Sequence, residues 1–271
     1  MNRIDKKFRE LKAQQHKAFI AFITAGDPDL KTTADLVLAL EKTGVDIIEL
    51  GIPFSDPLAD GPIIQASFYR ALQKGVTVKK ILASVKDIRR HSSIPIALMT
   101  SYNPVFRFGE EKFIKACVKA GVDGLIIPDL PPEEAIDLRR LAQQHDISTV
   151  FFVAPTSTDE RIKSNTKASS GFVYYVSLTG TTGTQKAVAS AVVKQIKRIK
   201  QFTPKPVCAG FGISTPQQVQ DIGRAADGVI VGSAIVKVID ALRGQSDLVS
   251  KVAHYVHSLV GAIHQSPGQS K

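Results

Sequence analysis

FIAFITAGDPDLKTTADLVLALEKTGVDIIELGI, residues 19–52, contains a complete strand–helix–strand unit. FIAFITA (19–25) and DIIELGI (46–52) are apolar on both alternating faces, as parallel strands covered on both sides must be. Between them, DLKTTADLVLALEKTG (29–44) has helical spacing of its apolar residues and a glycine stop at Gly44. Two parallel strands joined by a helix form a unit that cannot bury its faces alone. It has to be repeated.

The repeat is present. Further strand-like runs are IPIALMT (94–100), DGLIIPD (123–129), STVFFVA (148–154), GFVYYVS (171–177), KPVCAGF (205–211) and DGVIVGS (227–233), about eight in all. Helical patterns lie between them. EEKFIKACVKAG (110–121) ends in Gly121, and PPEEAIDLRRLAQQHD (131–146) opens with prolines and acids as a helix N-terminus should. Eight alternations in 271 residues predict an α/β fold of the (β/α)8 barrel type, ahead of a doubly wound open sheet. An extra N-terminal helix (4–14) and a last helix (247–265) are additions to the repeat, and the tail 266–271 is expected to fray. With no linker in view, residues 1–271 are expected to form one barrel domain.

Composition narrows the class. The chain is 44% hydrophobic and 22% charged, with no apolar run approaching a membrane span and no signal-peptide core in its first residues. A cytoplasmic protein is expected, with Cys117 and Cys208 as isolated reduced thiols. The net charge of +10 raises nucleic-acid binding, but the lysines are scattered over helical segments such as VVKQIKRIK (192–200) without interleaved aromatics. Solvated helix faces explain them better, and a small anionic substrate would benefit from the same field.

In a barrel the chemistry sits where strands run into their following loops. Two of those loops are long: PFSDPLADG (53–61) and LTGTTGTQKAV (178–188), and both have the composition of lids. A phosphate site is legible in AGFGIS (209–214) and VGSAIV (231–236), which put glycines at strand ends just before helices, where free N–H groups meet anions. Gly212, Gly232 and Ser233 are its candidates, with Gly183 as a third donor loop. The segment GTTGTQK (180–186) lacks P-loop spacing, and GFGIST (210–215) lacks the third glycine of a dinucleotide fingerprint. His254 and His257, one helical turn apart with no nearby carboxylate, read as surface residues, so no metal is expected.

Two carboxylates remain. Glu49 interrupts an apolar strand, which is costly unless the acid is paired or protonated, and Asp60 follows in the turn-rich loop. They can be an acid–base pair. Equally, Glu49 can be a structural carboxylate, Asp60 ordinary turn chemistry before glycine, and Asp56 a cap. Spacing alone reaches a phosphate-ester enzyme of the barrel type.

At these residues the chain resembles the tryptophan synthase α subunit family. ELGIPFSDPLADGPIIQ (49–65) carries that family's hallmark, and the likeness continues in order through FITAGDP (22–28), GVDGLIIPDLP (121–131), FVYYVSLTGTTG (172–183), AGFGIS (209–214) and ADGVIVGSAIV (226–236). The resemblance implies a (β/α)8 lyase that cleaves indole-3-glycerol phosphate to indole and glyceraldehyde 3-phosphate by a retro-aldol step. It also implies an α2β2 complex, in which indole passes to a β subunit that holds pyridoxal phosphate, and no cofactor in this chain. Glu49 would be the acid–base residue at the indole ring carbon and adjacent hydroxyl, and Asp60 would bind the indole N–H. Gly183, Gly212, Gly232 and Ser233 match phosphate contacts, and Phe22, Ile64, Ile126 and Phe211 match the walls around indole. Tyr174 aligns with a tyrosine near the glutamate, and Thr182 with a lid residue that closes toward Asp60. Two departures stand out: Ser101 where members commonly carry tyrosine, and a SLTGTTG loop without the arginine some members have after its serine.

Overall fold

The computed structural model describes residues 2–176, 185–210 and 212–264. Among these residues the strands are β1 (Ala18–Thr24), β2 (Ile47–Gly51), β3 (Ile96–Met99), β4 (Gly124–Ile126), β5 (Ser148–Val150), β6 (Phe152–Val153), β7 (Val173–Val176), β8 (Val207–Gly210) and β9 (Gly228–Val231). The helices are α1 (Arg3–Ala13), α2 (Leu30–Lys42), α3 (Pro62–Gln73), α4 (Val78–Ile88), α5 (Tyr102–Phe108), α6 (Glu110–Ala120), α7 (Ile136–Gln144), α8 (Asp159–Ala168), α9 (Gln185–Lys200), α10 (Pro216–Gly223), α11 (Ser233–Ala241) and α12 (Leu248–His264).

Every strand pair is parallel, and the sheet order is β5-β4-β3-β2-β1-β9-β8-β7-β6. Its two end strands, β5 and β6, are halves of one stretch, so the sheet closes on itself as a barrel. The expected run 148–154 is thus split at Phe151. There the N–H goes to the Ser169 hydroxyl (3.1 Å), as that of Thr149 goes to Ser170 (2.8 Å), because β7 begins too late to accept them. These hydroxyls close the lower part of the seam.

Alternation sorts the strand residues into two cores. Phe19, Ala21 and Ile23 pack outward with Leu36, Val37 and Leu40 of α2, whereas Ala18 and Ile20 join Ile47, Ala97, Ile126, Val150, Tyr174, Cys208 and Ile230 inside the barrel. Helix α1 closes the N-terminal end of that interior with Ile4, Phe8 and Leu11. Asn2 caps α1 through Ile4 N–H (2.8 Å), and its amide donates to the carbonyl of Asp146 (2.6 Å). Gly124 leaves room for the plug: a Cβ there would lie 2.8 Å from Ile4 Cδ1. Burying those three side chains contributes on the order of 5 kcal/mol, before the entropy of ordering the segment is subtracted.

The same end carries a device that recurs three times. In GVD (44–46), GVD (121–123) and AAD (225–227) the aspartate opens a strand and accepts the N–H of a residue at the start of the preceding strand. The pairs are Asp46 with Phe19, Asp123 with Ile96 and Asp227 with Val207, each at 2.9 Å. Each also meets cations: Lys7 near Asp46 (3.7 Å), Arg3 and Arg89 on Asp123 (both 2.7 Å), and Lys200 on Asp227 (2.8 Å).

Helix ends follow the sequence closely. Asp29 caps α2, and Gly121 ends α6 at φ 84°, a left-handed position where a side chain would be strained. One expectation is corrected. The helix placed at 131–146 starts at Ile136, because Pro131–Ala135 forms a turn in which the N–H groups of Glu134 and Ala135 both bond to Pro131 O (3.1 Å each). The prolines mark that turn, not the helix. The loop expected at 178–188 gives its last four residues to α9, and 177–184 and the tail from 265 lie outside the described residues. Cys117 and Cys208 are buried free thiols, and His254 and His257 are exposed.

Candidate active site

Glu49 lies in the middle of β2, in register with Phe22 of β1 and Ala97 of β3, and its parity turns it into the barrel. It is fully buried, and neither carboxyl oxygen has a hydrogen-bond partner among the described residues. Burial, with the charge of Asp60 second, pushes its pKa up to about 8. A carboxyl in this setting is a neutral acid at neutral pH.

Asp60 stands at the end of the loop that follows β2. A turn fixes it: Asp60 N–H bonds to Pro57 O (3.1 Å), and Gln65 of α3 donates to Asp60 O (2.7 Å). Its side chain is half-buried, and burial followed by the charge of Asp129 raises its pKa to about 6. Between roughly pH 6 and 8 the pair therefore consists of one acid on β2 and one anion in the loop that follows it. Asp56 is exposed on the same loop.

Apolar walls surround the pair. Phe22, Ile64, Phe68 and Val236 form one buried group, and Ile126, Val150 and Tyr174 belong to the barrel interior; Met99 touches both. Tyr174 faces inward while Tyr175 faces the helices. Burial and then Glu49 push the Tyr174 phenol up, so it stays protonated. Its hydroxyl occupies space that Gly210 leaves open: a Cβ there would be 2.8 Å away. Phe152 lies against it, with ring centroids 4.7 Å apart. Met99, Phe68 and Phe152 were not singled out from the sequence. For Met99 and Phe152 the signal existed, since Met99 ends β3 and Phe152 lies in the later part of the 148–154 run, both with inward parity.

The anion end differs between the two glycine loops. Helix α10 is closed on itself by a capping box: Thr215 accepts from Gln218 N–H (3.3 Å), and Gln218 Oε1 accepts from the N–H groups of Ser214 (2.9 Å) and Thr215 (3.1 Å). Helix α11 starts at Ser233 after Gly232 with no side-chain cap, so its first N–H groups are available. Gly212 has φ 41° and open space around it. The register pairs Gly210 with Ile230, so the two glycine loops leave the sheet at the same rim. Phe22 joins the two ends of the site. It is in register with Glu49, and a Cβ on Gly232 would lie 3.3 Å from Phe22 Cβ.

Thr182, Gly183 and Phe211 lie outside the described residues. Ser101 is the N-cap position of α5 and makes no side-chain cap bond. Among the described residues no group of three or more His, Cys, Asp or Glu is placed to hold a metal ion, and no helix is long and apolar enough to cross a membrane.

Comparison with known proteins addresses identity directly. The family profile "Tryptophan synthase alpha chain" matches residues 8–264. The tryptophan synthase alpha chain of Geotalea daltonii is 48% identical over 97% of this chain and 99% of its own length. That of Thermoanaerobacter sp. strain X514 is 50% identical over 96% of this chain and 98% of its own length. The crystal structure of tryptophan synthase subunit alpha from Legionella pneumophila superposes with a TM-score of 0.90 at 37% identity, covering 97% of this chain and 98% of that one. A barrel with a buried acid on β2, matched along nearly its whole length, belongs to the tryptophan synthase alpha chain family.

Proposed function

We propose that Glu49 is the proton shuttle, and Asp60 its electrostatic partner, in the retro-aldol cleavage of indole-3-glycerol phosphate. The reaction is that of the family: a carbon–carbon lyase forms indole and glyceraldehyde 3-phosphate, needs no cofactor of its own, and pairs with a pyridoxal-phosphate β subunit that receives the indole.

The carrying observation is the fully buried Glu49 carboxyl, which has no hydrogen-bond partner among the described residues. Its proton goes to the indole ring carbon that bears the glycerol side chain, which leaves a cationic ring. Asp60, as the anion of the pair, accepts the ring N–H and stabilises that charge. Glu49, now a carboxylate, removes the proton of the adjacent hydroxyl as the carbon–carbon bond breaks. The bonding electrons return to the ring, the hydroxyl carbon becomes an aldehyde, and Glu49 ends protonated as it began. An oxygen committed to a structural hydrogen bond would serve this exchange less well. Acid–base help of this type contributes roughly 10²–10⁴-fold.

The phosphate is assigned to Gly212, Gly232 and Ser233 at the open end of α11, with Gly183 completing the set. Phe22, Ile64, Ile126, Tyr174 and Phe211 are assigned to the walls around the indole, and Thr182 to closure over Asp60. The partner docks on the C-terminal rim, where Leu58 (87% exposed), Phe106 (67%) and Ile136 (63%) project from the segments after β2, β3 and β4. The site works in the cytoplasm as one domain spanning residues 1–271.

The test is release of indole from indole-3-glycerol phosphate, by the chain alone and with its β subunit. Indole formation that rises on adding the β subunit is expected, and no indole under either condition overturns the reading.

A further inference from the structure

Asp129 follows β4, three residues beyond the wall residue Ile126, and bonds to the start of α5. Its Oδ1 accepts the N–H of Tyr102, the first residue of α5, at 2.8 Å. Tyr102 is anchored at its other end by its hydroxyl, which donates to Glu110 (2.8 Å), and its ring lies 6.0 Å from that of Phe106. Phe106 is one of the exposed apolar residues of the rim. On its inner side, Asp129 is the charge felt by Asp60. The loops are brought together by the barrel itself: Ile52 N–H bonds to Met99 O (2.8 Å) and Thr100 N–H to Ile126 O (3.0 Å), so the strand ladder runs up to where all three chain segments leave it.

We infer that Asp129 is a positioning residue for the lyase reaction, which ties the partner-facing helix α5 to the indole-binding carboxylate Asp60. The inference rests on the role given above to Asp60. Two effects of one side chain are involved. As a hydrogen-bond acceptor, Asp129 holds the first turn of α5, which presents Phe106. As a charge, it opposes ionisation of Asp60, the form that stabilises the cationic ring. Docking that moves α5 moves the carboxylate bonded to it, and so changes the field at Asp60. The other titratable groups that interact with Asp60 are Glu49 on β2 and Tyr174 on β7, while Asp56 is exposed on the same loop; Glu110 and Glu134 face Tyr102.

Asn and Ala substitutions separate the two effects. Asp129→Asn keeps an acceptor for Tyr102 N–H and removes the charge, whereas Asp129→Ala removes both. The pH dependence of kcat/KM for indole release is measured for each with and without the β subunit, together with the affinity for that subunit. In Asp129→Asn the acidic limb should move to lower pH, giving a several-fold higher relative rate at pH 5.5, with partner affinity within about twofold of wild type. In Asp129→Ala the affinity should fall several-fold as well. Asp60→Asn is the internal standard, because it should erase the acidic limb. An Asp129→Asn profile that superimposes on wild type, while Asp60→Asn still erases the limb, overturns the role of Asp129 alone. A limb that persists in Asp60→Asn overturns the reading of Asp60 and this inference with it.

Discussion

The two ends of the barrel treat carboxylates in opposite ways. At the N-terminal end Asp46, Asp123 and Asp227 each accept a backbone N–H at 2.9 Å and face at least one cation. Toward the C-terminal end Glu49 has no hydrogen-bond partner among the described residues, and Asp60 is pushed up by burial and by a third acid. The difference is one of purpose. Satisfied acids join neighbouring strands and gain nothing by exchanging protons. Acids left without partners are poor cement, but they can give and take a proton near neutral pH. The same residue type is structural or reactive according to what the neighbouring strand offers it.

Four substitutions can break or sharpen that contrast. Glu49→Gln should have the largest effect, lowering kcat roughly 10³-fold or more while substrate still binds. It should also change stability in a pH-dependent way. A folded-state pKa raised to about 8 from the usual 4.5 favours folding fully below the lower value, and that help is lost as pH rises through 8. Urea melts at pH 8 should therefore show Glu49→Gln more stable than wild type by on the order of a few kcal/mol, with the two converging below pH 5. Near-normal turnover in this variant would contradict the assignment of Glu49.

Next is Asp60→Asn, which should cost roughly 10²–10³-fold in kcat, read in the same indole assay. At the other end, Asp123→Ala should leave kcat unchanged and lower stability by about 3 kcal/mol, because the well-buried Arg89 guanidinium and the Ile96 N–H both lose their acceptor. A drop in kcat at unchanged stability would show that the two ends are not separate in function. Asp46→Ala should give the smallest change, about 1–2 kcal/mol in the same melts, since its cation is more distant (3.7 Å) and the main loss is the Phe19 N–H.

The legibility of these features in the sequence follows their physics. All eight strand runs were readable, because burial on both faces leaves unbroken apolar segments, and Gly44 and Gly121 stop their helices as expected. The split at Phe151 was not readable. It depends on hydroxyls of Ser169 and Ser170, some twenty residues away, and no local pattern reports a distant acceptor. The early start assigned to α7 failed for a related reason: two prolines suit a helix N-terminus and a turn equally, and only the carbonyl of Pro131 distinguishes them. At the site, Glu49 announced itself by being an acid in apolar company. The unequal anion ends of α10 and α11 needed the structure, since both loops offer glycine before a helix and only Gln218 closes one of them. The repeated aspartates could have been found from G-V-D and A-A-D alone, but their acceptor role depends on strand register.

The plug formed by Ile4, Phe8 and Leu11 has a consequence for traffic. Among the described residues that floor closes the N-terminal end of the interior, which leaves the rim carrying Leu58, Phe106 and Ile136 as its open end. On the docking proposed above, substrate enters and indole leaves by the end that the partner subunit covers. Delivery of a small apolar product to a neighbour would then need no dedicated exit, because the recipient would stand at the end through which the product leaves.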